Sequence, residues 1–509
     1  MALHMPATIL SAALVGIDAV PVEIESDVSN GLPAFVIVGL PDAAVQESRE
    51  RVKTALRNSG FSFPRTRLTV NLAPADLKKA GPSYDLPIAV SIMVGSGDMK
   101  QETARGAMFI GELSLDGNLR PVAGALSAAL LAKGRGMKAI YVPADNAAEA
   151  ALVPGLDVFG VPSLLALVDH LRGTRSLEPQ PPSAPPAIPA DDDPYDFGAI
   201  AGLEHAKRAM EIAAAGGHNI LLSGSPGAGK TLLARSMPSI LPAMTYEEAL
   251  DATRIHSVAR LLPRISPLMK ARPWRAPHHT ASTAAVIGGG ANPHPGEVTL
   301  AHRGVLFLDE FPEFPRPVLE GLRQPLEDRR VTVSRASGTL EFPASFMLVA
   351  ARNPCPCGFF GDPERACTCP AHALERYRKK ISGPLLDRID LYVEVPRTPY
   401  EKLSAAGDAE PSSAVRGRVA AARKIQAERN APFGAVTNAD VRGRDLKKLC
   451  PIPKEAEALL LSASKNLRLS PRAIHRCLKV ARTIADLDGR ADVETPDVAE
   501  ALQYRPKHE

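Results

Sequence analysis

The 509 residues carry a formal charge of +4, 45% apolar and 5% aromatic side chains, and six cysteines. That length suggests about three domains, with aliphatic rather than aromatic cores. No run of 18 apolar residues occurs, which excludes a hydrophobic spanning helix and makes a membrane partner unexpected, and the small charge means that any nucleic-acid surface must be local.

Met1 to Val15 has no basic start, and Asp18 soon interrupts its apolar character. No signal peptide is expected, and the cytoplasm is the expected compartment. Residues 34–38 and 68–72 read as strands, and 43–60 and 84–93 as helices. Residues 173–197 contain Pro179, Pro181, Pro182, Pro185, Pro186, Pro189 and Pro194, with Asp191, Asp192 and Asp193 among them. So many prolines with little to bury predict an extended spacer. Beyond it, 219–222 reads as a short buried strand and 232–236 opens a helix. Residues 305–308 and 346–350 are further apolar strands, and the alternation predicts a parallel sheet flanked by helices. From Ser412 the pattern is helical, with apolar residues at helical spacing over 415–430, 454–465 and 470–487. Ser470 and Pro471 supply a cap and a first-turn proline for the last of these.

Gly224-Ser225-Pro226-Gly227-Ala228-Gly229-Lys230-Thr231 matches G-x-x-x-x-G-K-[ST]. It follows a predicted strand and opens a predicted helix, the context this phosphate-binding loop requires. Its glycines let backbone N–H groups close around phosphates at a helix N-terminus. Lys230 is expected to neutralise the β and γ oxygens of ATP, and Thr231 to hold Mg²⁺. Residues 305–308 end in Asp309 and Glu310. A buried strand ending in two carboxylates suits a Walker B element, with Asp309 on the metal and Glu310 on the attacking water.

With these motifs, the chain resembles the ComM/YifB-type family of magnesium-chelatase-like AAA+ ATPases. The resemblance runs through residues 202–231, 272–280 (Arg-Pro-Trp-Arg-Ala-Pro-His-His-Thr), 300–304, 351–357, 382–390 and 469–472. It implies an α/β fold: an AAA+ P-loop core with an α-helical lid, preceded by a Lon-protease-like (S5-type) α+β domain. The implied domains are 1–172 (Lon-like), 173–197 (linker), 198–400 (ATPase core) and 401–509 (lid). It implies that Asn353 is a sensor that positions the lytic water. Arg388 matches an arginine finger acting on a neighbouring subunit, and Arg472 matches the sensor arginine of the lid. A finger in trans implies a ring, and the family forms homo-hexamers.

The hairpin pattern 330–334 and 339–342, turning at Ser337-Gly338, and the insertion around 276–296 face the ring's channel in the family. Arg329, Arg330 and Arg335 are candidate DNA contacts; they read equally as solvated groups or as partners of Asp328 and Glu327. Arg376-Tyr377-Arg378-Lys379-Lys380 reads as a solvated helix face rather than a DNA contact. Cys355, Cys357, Cys367 and Cys369 form two C-x-C pairs nine residues apart. They read as a structural Zn²⁺ site or as idle thiols. Cys450 and Cys477 read as packing residues.

The segment 79–83 resembles the Lon nucleophile region, with Ser83 at the serine position. Leu126 stands where Lon has its lysine base, and Lys133 is too far along to replace it. A serine without its base is a poor nucleophile, so a proteolytically inert domain is expected. The implied function is a DNA motor that drives branch migration on single-stranded and branched DNA during recombination and natural transformation. A metal-chelatase ATPase subunit and a protein-remodelling chaperone are the alternatives.

Overall fold

The computed structural model describes residues 7–182, 195–263, 267–290, 293–335, 338–397 and 410–506. Pro185, Pro186, Pro189, Pro194, Asp191, Asp192, Asp193, Ser337 and the expected boundary near residue 400 lie outside these. The chain forms two compact units. Among the described residues, no helix is long and apolar enough to cross a membrane.

The first unit is α+β. Its seven-stranded sheet runs in the order Ala34–Val38, Arg67–Ala73, Asp18–Ser29, Ala7–Val15, Ala107–Phe109, Ala139–Pro143, Asp157–Val161. The pairs of Asp18–Ser29 with both its neighbours are antiparallel, and the other four are parallel. Val22, Ile24, Leu68, Val70 and Leu72 alternate into the core and are fully buried, as period-two strands with one packed face require. The long hairpin 7–29 was not among the predicted elements. Ala43–Asn58 begins where the Asp42 side chain accepts from the Val45 N–H at 2.9 Å and ends before Gly60, at φ +84°. Asp85–Gly95 is buried almost throughout.

A segment from the middle of the sequence joins this unit. Residues Tyr246–Met269 belong to it, although they lie well inside the predicted ATPase core. The helix Tyr246–Val258 is fixed by its polar residues. The Tyr246 hydroxyl donates to Leu152 O at 2.5 Å, and Arg254 Nε donates to Ile17 O at 3.2 Å. Arg254 also pairs with Asp18, and the Ser257 hydroxyl bonds the buried Glu149. Burial raises the Glu149 carboxyl above its ordinary range, against the hydrogen bonds from Ser257 and Leu126 N–H.

The second unit is built on a five-stranded parallel sheet. The order is Trp274–Arg275, Val305–Leu308, Met347–Arg352, Ile220–Ser223, Leu391–Glu394. Each predicted strand here forms within a residue or two of its expected bounds. Strands buried on both faces read as short apolar runs, and Val305, Leu306, Leu308, Leu348 and Val349 are fully buried. The helices Ser412–Asn430, Lys454–Asn466, Pro471–Leu487 and Thr495–Gln503 make the lid. Ser470 caps the third as predicted, accepting from Ala473 N–H at 3.2 Å.

Asp390 ties lid to sheet. It accepts from Asn219 N–H at 2.9 Å and pairs with Arg476 of the lid. Burial opposes its ionisation, but Arg476 and His218 outweigh that and hold it well below the usual carboxylate range.

Candidate active site

In an open parallel sheet, ligands bind beyond the carboxyl ends of the strands. Three such ends converge here. The strand Ile220–Ser223 runs into Gly224, whose added Cβ would stand 2.3 Å from Val395 O. Only glycine passes there. Gly227 and Gly229 take φ +80° and +87°, left-handed values that glycine adopts without strain. The helix then starts at Lys230.

Lys230 is buried, and its ammonium donates to Gly224 O at 2.7 Å, Ser225 O at 2.9 Å and Asn353 Oδ1 at 3.2 Å. None of these partners is charged. Burial lowers its pKa, with Asp309 acting in the opposite sense. A desolvated cation held by neutral oxygens at a helix N-terminus suits a polyanion. The Thr231 hydroxyl donates to Asp309 Oδ2 at 2.9 Å. These two oxygens, predicted as the Mg²⁺ pair from positions 78 residues apart, are neighbours and form a hard-oxygen donor set that fits that ion.

Glu310 follows at φ +50°, a left-handed conformation that costs a non-glycine residue and often marks function. Its carboxylate lies 3.1 Å from His279 Nδ1, and His278 packs on His279 at 4.2 Å between ring centroids. His279 had no role in the sequence reading. The available signal was its place just past Trp274–Arg275, a strand that pairs in parallel with the Walker B strand.

Arg388 and Arg472 make no bond to this group among the described residues. Arg388 is nearly buried; it donates to Pro384 O at 2.6 Å and pairs with Glu327 of its own chain. Arg472 is exposed in the first turn of its helix. Arg329 donates to Phe346 O at 2.8 Å and pairs with lid Asp440 at 3.1 Å. Arg330 pairs across the hairpin with Glu341 at 3.2 Å. Among the described residues, neither pairs with Glu327 or Asp328, one of the alternatives the sequence left open. The Arg335 side chain lies outside the described residues. In the basic cluster, Lys379 and Lys380 pair with Glu375 and Glu313 at 2.6 Å each, while Tyr377 is buried with its hydroxyl donating to Asn353 O at 3.2 Å.

The four clustered cysteines do meet. Their sulfurs all lie within 4.8 Å of one another. N–H groups of Phe359 and Thr368 hold the Cys357 thiol down at about 5. Cys450 and Cys477 are buried singly in the lid, as packing residues.

In the first unit, Ser83 sits in a short 3-10 turn. Leu126 is fully buried, and Lys133 is exposed near the far end of the same helix.

Three family models match. They are described as magnesium chelatase subunit ChlI over residues 196–403, subunit ChlI of Mg-chelatase over 24–146, and the ChlI C-terminal region over 409–505. An uncharacterized protein of Mycobacterium tuberculosis is 46% identical over 97% of both chains. Competence protein ComM of Haemophilus influenzae is 42% identical, covering 98% of this chain and 97% of its own. The uncharacterized protein YifB of Escherichia coli is 41% identical over 97% and 96%. A Lon protease of Rhizobium meliloti matches in part, 27% identical over 146 residues. A likeness this long and this even, joined to a phosphate loop and Walker B pair in register, makes the chain a member of the ComM/YifB-type family of magnesium-chelatase-like AAA+ proteins.

Proposed function

We propose that the chain is an ATP hydrolase working as a hexameric DNA motor, which promotes branch migration during homologous recombination and natural transformation. One observation carries the ATPase reading: Lys230, Asn353, Thr231 and Asp309 converge on the phosphate loop. The DNA reading leans on the relative named as a competence protein.

In this mechanism the loop N–H groups and Lys230 bind the β and γ phosphates, and Lys230 exchanges its carbonyl partners for them. Thr231 and Asp309 would hold Mg²⁺, which when bound would withdraw charge from the phosphate oxygens. Glu310 accepts the proton of the attacking water while Asn353 orients that water. Arg388 leaves Glu327 to reach the phosphate of a neighbouring subunit, and Arg472 senses nucleotide from the lid. Arg330 and Arg335 remain the DNA-contact candidates. Arg329 is already engaged by Phe346 O and Asp440, and is better read as a tie to the lid. The first unit is read as proteolytically inert, since the buried Leu126 offers Ser83 no base. A DNA substrate makes the cytoplasm the working compartment. The cysteine cluster is read as a structural Zn²⁺ site.

The family descriptions favour a second reading, the ATPase subunit of a metal chelatase. The ATPase rate with and without single-stranded and four-way-junction DNA separates the two. Stimulation is expected, and low salt is needed because phosphate-driven affinity falls steeply with ionic strength. Neither binding nor stimulation at low salt removes the DNA motor and leaves chelatase or chaperone work.

A further inference from the structure

We propose that the loop Cys355–Cys369 sets nucleotide affinity through its metal: one Zn²⁺ on the four thiolates holds the loop against the phosphate loop. The inference rests on reading Gly224–Thr231 as the nucleotide site and the cysteines as a Zn²⁺ site.

The donor set fits zinc. Cys355 Sγ stands 3.3 Å from Cys357 Sγ and 3.7 Å from Cys367 Sγ, and Cys357 Sγ stands 3.6 Å from Cys367 Sγ. Tetrahedral Zn²⁺ at about 2.3 Å from each sulfur needs sulfurs about 3.8 Å apart. Besides the N–H groups of Phe359 and Thr368 on Cys357, peptide N–H groups point at the other sulfurs: Phe360 on Cys355 at 3.3 Å, Cys357 on Cys369 at 3.4 Å, and Cys369 on Cys367 at 3.4 Å. Such donors delocalise thiolate charge and orient the ligands, as outer-shell groups do around bound metals. Between the two pairs the chain forms no helix or strand. A metal there supplies the order that a backbone ladder supplies elsewhere.

That loop is fitted to the phosphate loop at two points. Gly358, at φ +87°, lies so close that an added Cβ would stand 2.6 Å from Pro226 Cδ. The Ser225 hydroxyl donates to Asp362 Oδ2 at 2.6 Å. Asp362 is itself fixed: its other oxygen accepts from Glu364 N–H at 3.0 Å and Arg365 N–H at 3.1 Å, and Arg397 lies 3.3 Å from Oδ2. Only 1% of that side chain is exposed. Ser225 also gives its carbonyl to Lys230 at 2.9 Å, so one residue joins the cysteine loop to the phosphate-binding lysine. Asn353, the other side-chain partner of Lys230, lies two residues before Cys355. A phosphate loop pre-set in this way loses less freedom on binding, which is gained affinity.

The test uses the full chain purified without added zinc or chelator. Metal content is measured first, then ADP affinity by titration, for the native protein, for native protein after chelation and after zinc is returned, and for Cys369→Ser and Asp362→Ala. About one zinc per chain is expected. Chelation and Cys369→Ser should each weaken ADP binding about tenfold, with zinc restoring the chelated protein. Asp362→Ala should keep its zinc and still bind ADP about tenfold more weakly. If Cys369→Ser fails to fold, Asp362→Ala decides. Well under one zinc per chain overturns the metal site. A full zinc complement with ADP affinity unmoved by chelation and by Asp362→Ala overturns the coupling and leaves the nucleotide site standing. A native chain that binds no ADP overturns the nucleotide site on which the inference rests.

Discussion

Arg51 in the first unit and Lys230 in the second are both cations drawn out of water, and they are held in opposite ways. Arg51 lies 2.7 Å from the carboxylate of the fully buried Asp85, and its remaining N–H groups donate to Ala44 O and the Ser48 hydroxyl at 3.0 Å. Its hydrogen bond to Asp85 raises its pKa further. Lys230 meets three neutral oxygens, and burial lowers its pKa. A closed ion pair contributes to fold specificity and leaves nothing over for a ligand. A desolvated cation with no anion in hydrogen-bond contact costs stability, and a bound phosphate would recover that cost. Lys79 of the first unit is likewise buried and donates to a carbonyl, that of Pro74, so it is the glycine loop and helix start around Lys230, not burial alone, that suit a phosphate.

The largest effect should come from removing the open cation. Lys230→Ala is expected to lower the ATPase rate at least about a thousandfold while the protein stays folded. Glu310→Gln should do the same with nucleotide binding kept, because it removes only the base. Normal turnover in either purified variant would sink the site assignment.

Why this site was legible in sequence, and other parts were not, follows from distance along the chain. Gly224 to Thr231 is one contiguous loop whose conformation is dictated locally by glycines and a helix start. Asp309 is 78 residues from Thr231, yet it too announces itself, by ending an apolar strand. Where a side chain's role is set by a remote partner, no local signal exists. Asp362 is one polar residue in an irregular loop until Ser225, 137 residues away, donates to it. Arg329 reads as a basic residue beside a hairpin until Asp440, 111 residues on, takes it. The helix Tyr246–Val258 has an ordinary sequence, and remote partners such as Leu152, Glu149, Ile17 and Asp18 assign it to the first unit. The first hairpin is hidden for another reason: the apolar run 7–15 has the composition of a targeting segment as much as that of a strand.

The closed cation gives the next effect, on stability rather than rate. Arg51→Met leaves Asp85 fully buried with only the Ser48 hydroxyl and Leu113 N–H. Stranding a buried charge costs about 3 kcal/mol, read as a lowered unfolding midpoint. ATP turnover per folded chain should hold. A variant that kept its midpoint and lost turnover would reverse the assignment of the two cations.

Lys479 resembles Lys230 in chemistry, but its partners lie away from the phosphate loop. Its ammonium donates to Ala439 O at 2.8 Å, and burial pushes its pKa down from 10.5 to about 8, with Asp390 pulling the other way. The unfolded chain therefore binds the extra proton more readily between pH 8 and 10.5. Stability should rise with pH across that window and fall again as pH returns through 8. After allowance for solvent screening the gain is roughly 2 kcal/mol. Lys479→Met should flatten the rise and leave the protein more stable at pH 7. A saturating nucleotide should not abolish the rise, since no phosphate reaches this lysine to compensate its burial. If nucleotide did abolish it, Lys479 would belong with Lys230 among the cations that await a ligand, and the nucleotide site would extend into the lid.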